Sequence, residues 1–191
     1  MNQAATADVD AQWMLAFQRG DEQCFDRLFQ KYKQPVINFA HRFTGRRDVA
    51  EELAQDIFVK CYTAAPRYQP SARFSTWLFR IARNHCLNEV RRQDYRYRTE
   101  PLEGTAEPAS DTSPEQQAQA SDLQRALLEV MAALPESQRS ALLLSRQQAM
   151  SYEEIAAAME TTVSAVKSLL NRAKVTLTRR MAKYRENNHE V

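Results

Sequence analysis

Glycine is the scarcest structural signal in this chain, with three in 191 residues. A fold built on β-hairpins needs many more left-handed turn positions, so a hairpin-rich architecture is excluded. Cysteine is equally uninformative as a framework: Cys24, Cys61 and Cys86 are odd in number, widely spaced and without a C-x-x-C pair. That fits buried or half-buried free thiols in a reducing cytosol. No apolar run approaches the ~18 to 20 residues of a spanning helix, and the polar start MNQAATADVDAQ is unlike a signal peptide. The expectation is a soluble, cytoplasmic protein with no direct membrane insertion. Sites for chemistry are missing too. There is no Gly-rich phosphate loop, and His85 beside Cys86 has no further ligands at metal spacing. The carboxylates Asp48, Glu51, Glu52 and Asp56 lack the E-x-x-H repeats of a di-metal site, and the one such match, Glu186 to His189, lies in the polar tail. No catalytic residue, metal or cofactor is therefore expected, and the chain does not read as an enzyme.

What the chain does have is helical periodicity. Hydrophobic residues make up 43% of it, enough for a core in one or two domains. Apolar positions recur at helical spacing through Trp13, Met14 and Phe17, then from Cys24 through Leu28, Tyr32, Val36, Phe39 and Phe43 to Gly45. A third pattern carries Val49, Leu53, Ile57, Phe58 and Cys61 inward, and Pro66 stops it. After the polar loop PRYQPSARF a fourth helix is expected from about Ser75. The overall charge of +2 is unevenly spread: residues 1–94 sum to +3, 95–121 to −3 and 122–191 to +2. The middle stretch, with its prolines, like charges and no periodic apolar face, reads as a flexible acidic linker. The expected fold is all-α, with helical domains over 1–94 and 122–191 joined by a linker over 95–121.

The second domain ends in a strongly basic pair of helices. Ser151 and Glu154 form an S-x-x-E capping box ahead of Ile155, Ala156 and Met159. A polar break at residues 160–162 follows, and Thr162 can cap a second helix reaching about Lys183. Two helices joined by a tight turn suggest a helix-turn-helix. Val163, Val166, Leu169, Leu170, Ala173 and Leu177 share one side of the second helix. Ser164, Lys167, Ser168, Asn171 and Arg172 lie on or beside the opposite side, and such residues hydrogen-bond base edges or phosphates in a major groove. Residues 161–185 contain seven basic side chains and no acidic one, which points to nucleic acid. In the first half, the loop with Tyr68 and Phe74 leads into a helix with Trp77, Arg80, Arg83 and Asn84. Cations beside π-faces suit single-stranded nucleic acid, although aromatics at this spacing also fit ordinary packing.

Six motifs, in order, carry a family resemblance: GDEQCFDRLFQKY, DVAEELAQDIFVKCY, RFSTWLFRIARN, LPESQRSALLL, SYEEIAAAM and VKSLLNRAK. Together they resemble the extracytoplasmic-function (ECF) sigma factors of the bacterial sigma-70 family over about residues 10–94 and 122–183. The resemblance implies a sigma2 and a sigma4 domain in an alternative sigma factor. Such a protein binds core RNA polymerase, through the β′ clamp coiled coil and the β flap, and directs promoter-specific transcription initiation.

The same resemblance implies site residues. Gln55, Asp56 and Phe58, with Glu52 nearby, match the helix that docks on the clamp, where carboxylates beside an aromatic suit a basic partner. Tyr68, Ser71, Ala72, Arg73, Phe74, Trp77 and Asn84 match the part that captures an unpaired base of the −10 element, with Arg80 and Arg83 near the backbone. Lys167, Ser168, Asn171 and Arg172 match the reader of the −35 duplex, and Ser164 and Lys174 its phosphate contacts. Glu160 stands where shorter residues are commoner, and Asn171 where a larger or aromatic one often appears. The linker, with Glu100, Glu103, Glu107, Asp111 and Glu115, is expected near the RNA exit path. An anti-sigma factor, often membrane-anchored, is the implied regulator. The competing readings are a free-standing helix-turn-helix regulator on duplex operator DNA and an adaptor or anti-sigma protein, which the basic reading helix does not fit.

Overall fold

The computed structural model describes residues 8–99, 116–147 and 150–189. Four helices build the first half. α1 (Val9–Gln18) starts at Asp8, whose Oδ1 accepts the Asp10 amide at 3.1 Å. α2 (Glu22–Thr44) continues through Pro35 and stops at Gly45. There a φ of 75° lets the Gly45 amide reach the His41 carbonyl at 2.8 Å. α3 (Arg47–Ala64) passes into a 3-10 turn, Ala65–Arg67. An irregular segment, residues 68–73, then leads to α4 (Phe74–Thr99). Tyr32, Val36, Phe39 and Phe43 recur every three or four residues and are fully buried. They give α2 one apolar stripe, on which α1, α3 and α4 pack. Burying each such side chain contributes about 1.5 to 3 kcal/mol.

The second half comprises α5 (Gln116–Ala132), α6 (Glu136–Leu144), α7 (Tyr152–Met159) and α8 (Val163–His189). α5, α6 and α7 all lie on α8, whose Val166, Leu170 and Ala173 are buried. Both arms of the capping box form: the Ser151 amide donates to Glu154 Oε2 at 2.8 Å, and the Glu154 amide to Ser151 Oγ at 3.2 Å. The break between α7 and α8 turns on Glu160, at φ 54° and ψ 48°. A side chain in this left-handed region costs roughly 1 to 2 kcal/mol, which is why short residues and glycine suit it better.

Helix runs into both ends of the expected linker: α4 continues to Thr99, and α5 already begins at Gln116. Neither glycine nor proline interrupts α4 before Pro101, and QQAQA is made of good helix formers. The linker residues Glu100, Glu103, Glu107, Asp111 and Glu115 lie outside the described residues.

The two halves are docked, α7 against α4 and α5 and α6 against α2, and one cluster of buried side chains extends through both. Polar contacts pin the seam. Arg139, 6% exposed, donates through Nη1 to the Phe43 carbonyl at 2.7 Å and through Nη2 to the Ala132 and Leu134 carbonyls, the latter at 3.2 Å. Arg91 grips Glu136 with Nε at 3.2 and 3.3 Å and Nη2 at 2.8 Å. Arg73 and Glu154 approach to 3.7 Å.

The Arg91–Glu136 pair sets a pH dependence. The hydrogen bond from Arg91 holds the Glu136 carboxyl below its ordinary value, with Arg139 and Arg83 adding to the effect. The pair's contribution is then fully present above the unfolded carboxylate's pKa, about 4.3, and is lost as pH falls through the lower folded value. Both partners are partly exposed, so the contribution is small. Urea midpoints measured from pH 6 to pH 3 should fall more steeply for the natural chain than for Arg91→Ala; parallel curves would remove the pair from the seam's stability.

Candidate functional site

Three surfaces carry the residues singled out by sequence. On α3, Glu52, Gln55 and Asp56 are all exposed. They sit at helical spacing on one face, and His85 of α4 approaches Asp56 Oδ2 at 3.2 Å. Phe58 does not join them. It is 6% exposed and packs edge-on against Phe29 with ring centroids 4.9 Å apart, so the expected aromatic anchor is a core residue. The apolar side chains that do face outward are Val59 and Tyr62, 63% and 52% exposed. Val59 lies four residues and Tyr62 seven beyond Gln55, which continues the acidic row on the same face. That register was available in the sequence. Tyr62 is held upright by Phe17 and Phe25, with centroids 5.1 and 5.2 Å away.

The segment between α3 and α4 is the second surface. Tyr68 and Phe74 are 4% and 1% exposed, so neither offers a face to an extruded base, which corrects the expectation for these two. They form the floor instead. Trp77, half-buried, meets Tyr68 edge-on with ring centroids 4.9 Å apart and Phe74 at a tilt with centroids 5.7 Å apart. Over this floor Ser71 and Arg73 are exposed and Ala72 is half-buried. Farther along α4, Arg80 and Arg83 are half-buried and Asn84 is exposed. Arg83 Nη1 donates to Asn84 Oδ1 at 2.9 Å. Burial is the main influence lowering the Arg83 pKa, and the Glu160 and Glu136 carboxylates of the second half oppose it.

The third surface is α8. Thr162 Oγ1 accepts the Ala165 amide at 3.2 Å and so starts the helix. Ser164, Lys167, Ser168, Asn171, Arg172 and Lys174 are all exposed, while Val166, Leu170 and Ala173 on the other side are buried. The Lys167 ammonium lies 5.7 Å from the centre of the Tyr152 ring, a cation–π contact that ties the reading helix to the helix before it.

Between the halves lies a cavity of about 510 Å³, lined by His41 and Arg42 of α2, by Leu127, Leu128 and Met131 of α5 and, among others, by Arg146. Its lining combines apolar side chains with cationic ones. Burial first, then the charges of Arg47 and Arg42, lower the His41 pKa, so Arg42 and Arg146 supply the positive charge of the lining at neutral pH.

The chain matches the family profile for Sigma-70 region 2 over residues 28–96 and the profile for Sigma-70 region 4 over residues 124–177. It is 32% identical over 177 residues to the RNA polymerase sigma-H factor of Pseudomonas aeruginosa, covering 88% of this chain and 92% of that one. With the ECF RNA polymerase sigma-E factor of Haemophilus influenzae it shares 30% identity over 167 residues, 82% of this chain and 87% of that one. Two solved structures share its fold. CnrH in complex with the cytosolic domain of CnrY gives a TM-score of 0.70 at 22% identity, over 92% of this chain and 99% of that one. RpoE in complex with the anti-sigma factor NepR, from Bartonella quintana, gives 0.64 at 23% identity, over 83% and 96%.

The contrast on α3 is testable by unfolding. Phe58→Ala should cost about 3 to 5 kcal/mol, as a truncated core aromatic does. Val59→Ala should stay within about 0.5 kcal/mol of the natural chain. Similar losses for the two would contradict the inward and outward assignments.

Proposed function

Because the chain belongs to the extracytoplasmic-function sigma factors of the sigma-70 family, we propose how its three surfaces divide the work of an initiation factor. The protein is an alternative sigma factor: it directs RNA polymerase to promoters and is not itself an enzyme. Both halves match the family, not the helix-turn-helix alone, which sets aside the free-standing regulator.

In this reading, Glu52, Gln55 and Asp56 pair with basic groups of the β′ clamp coiled coil. Val59 and Tyr62 give that contact its apolar part in place of Phe58. The segment around Ser71, Ala72 and Arg73, on its floor of Tyr68, Phe74 and Trp77, takes the unpaired −10 base, and Arg80, Arg83 and Asn84 serve the adjoining strand. Extruding a base costs a few kcal/mol, which contacts inside the pocket must offset. The −35 duplex is read by Lys167, Ser168, Asn171 and Arg172, with Ser164 and Lys174 on phosphates and the β flap as the second half's polymerase partner. The observation that carries the reading is that all six α8 residues are solvent-exposed on a helix whose other side is core.

Engaging both elements requires the halves to part. The −35 and −10 elements are roughly 25 base pairs apart, ~85 Å at about 3.4 Å per step. Here Glu154 of the reading domain sits 3.7 Å from Arg73 of the −10 segment. An anti-sigma factor, in this reading a membrane-anchored one, would act by favouring this closed form. The cavity at the seam, lined by leucines together with Arg42 and Arg146, suits an amphipathic helix with acidic residues. The cytoplasm is where such a factor meets polymerase.

Arg172→Ala should lower sequence-specific run-off transcription from −35-dependent promoters by roughly 5- to 150-fold, the size of about 1 to 3 kcal/mol of lost base discrimination, and leave core affinity unchanged. Loss of core binding in the folded variant would contradict this division of labour.

A further inference from the structure

Residues 68–73, between the 3-10 turn and α4, have no regular secondary structure. Their internal support is thin: the Ser71 amide reaches the Gln69 carbonyl at 2.8 Å, and Tyr68 Phe74 and Trp77 supply the floor beneath. Fixing the backbone of one residue costs about 1 to 2 kcal/mol of entropy, so something must hold the segment before DNA arrives. The holding bonds come from α1. At its C-terminal end, Gln18 Nε2 donates to the Ala65 carbonyl at 2.7 Å and to the Tyr68 carbonyl at 2.9 Å. At its N-terminal end, Asp8 Oδ2 accepts the Phe74 amide at 2.7 Å, while Oδ1 of the same carboxylate caps α1.

One ten-residue helix, about 15 Å long at ~1.5 Å per residue, therefore grips the segment at both ends. Its own placement is fixed on α2. The Asp10 carboxylate, 5% exposed, accepts from Lys31 Nζ at 2.6 and 2.7 Å and from the Tyr32 hydroxyl at 2.6 Å, and Ala11 and Met14 are buried beside it. Asp8 also places one negative charge at the N-termini of two helices, α1 and α4, where both helix dipoles favour it.

We propose that α1 is a brace for the −10 segment, and that Asp8 and Gln18 are positioning residues for capture of the unpaired base. The inference rests on the −10 role proposed above for residues 71–73. Neither residue touches DNA. Each acts by presenting the segment already ordered, so that binding energy is not consumed in ordering it.

The test uses holoenzyme assembled from core polymerase and the full chain, with a fluorescent single-stranded oligonucleotide carrying the −10 region of a promoter mapped from its own run-off transcripts. Two variants isolate the brace. Gln18→Ala removes an exposed side chain, and Asp8→Ser keeps an oxygen to cap α1 but cannot also reach the Phe74 amide. Each should weaken oligonucleotide binding by roughly tenfold, the size of one or two lost hydrogen bonds. Core affinity and binding of the −35 duplex should be unchanged, and the thermal midpoint should fall by only a few degrees, about 2 to 4 °C per lost kcal/mol. Gln18→Glu, which keeps the side-chain length but sets an acceptor-only carboxylate against two carbonyl oxygens, should weaken the oligonucleotide at least as much as Gln18→Ala. Arg73→Ala reports on the underlying reading. If Arg73→Ala weakens the oligonucleotide while Asp8→Ser and Gln18→Ala do not, the brace is wrong. Should none of the three matter, the −10 assignment falls and takes the brace with it. A general loss, with core and duplex binding falling together, would reduce α1 to a structural element and overturn the positioning role.

Discussion

A single guanidinium finishes helices from both halves of the molecule. The last carbonyls of a helix have no partner within it, and Arg139 supplies donors to two of them, Phe43 near the end of α2 and Ala132 at the end of α5, and to the Leu134 carbonyl just beyond. A cation at helix C-termini is favoured by both dipoles, and the Phe43 ring lies 5.6 Å from the guanidinium. Removing so buried a donor would leave carbonyls unsatisfied, at about 1 to 3 kcal/mol each. The closed arrangement therefore turns on a group that must exchange the Phe43 carbonyl for water when the halves part. Two of its three carbonyl partners, Ala132 and Leu134, belong to its own half, and one, Phe43, to the other.

The functional surfaces sit around that seam in a consistent way. The acidic row of α3 faces away from it, free in the closed form. The −10 segment and α4 lie at it, and Arg73, Arg83 and Arg91 each meet a carboxylate field from the second half. Those carboxylates are Glu154, Glu160 and Glu136. Glu154 serves twice, as the second arm of the α7 capping box and as the neighbour of Arg73.

Local chemistry was readable from the sequence. The capping box at Ser151, the left-handed stop at Gly45 and the split between buried Val166, Leu170 and exposed Lys167, Asn171 all follow from spacing and residue type. So did the all-α class and the two family halves. Spacing already carried Phe58 inward and put Tyr62 on the outward register of α3, so the place of Phe58 beside the acidic row came from the resemblance alone. Tyr68 and Phe74 lie in an irregular segment and at a helix start, where no period ranks depth and only the neighbouring helices decide that they are covered. Helix reaches into both ends of the expected linker because residues 95–99 and QQAQA favour helix without carrying an apolar face. The grip of α1 on the −10 segment was out of reach. Its bonds join residues 47, 50 and 66 positions apart, and nothing local marks Gln18 or Asp8 as partners of that loop.

The central claim is that one chain alternates between a closed form and an extended form that spans two promoter elements. Spin labels at exposed Asp26 of α2 and Ala182 of α8 measure it directly, since Cys24, Cys61 and Cys86 are all buried. The free chain should give one narrow distance, and the holoenzyme on promoter DNA a longer one by tens of ångströms, as elements ~85 Å apart demand. An unchanged distance in the promoter complex would contradict the account.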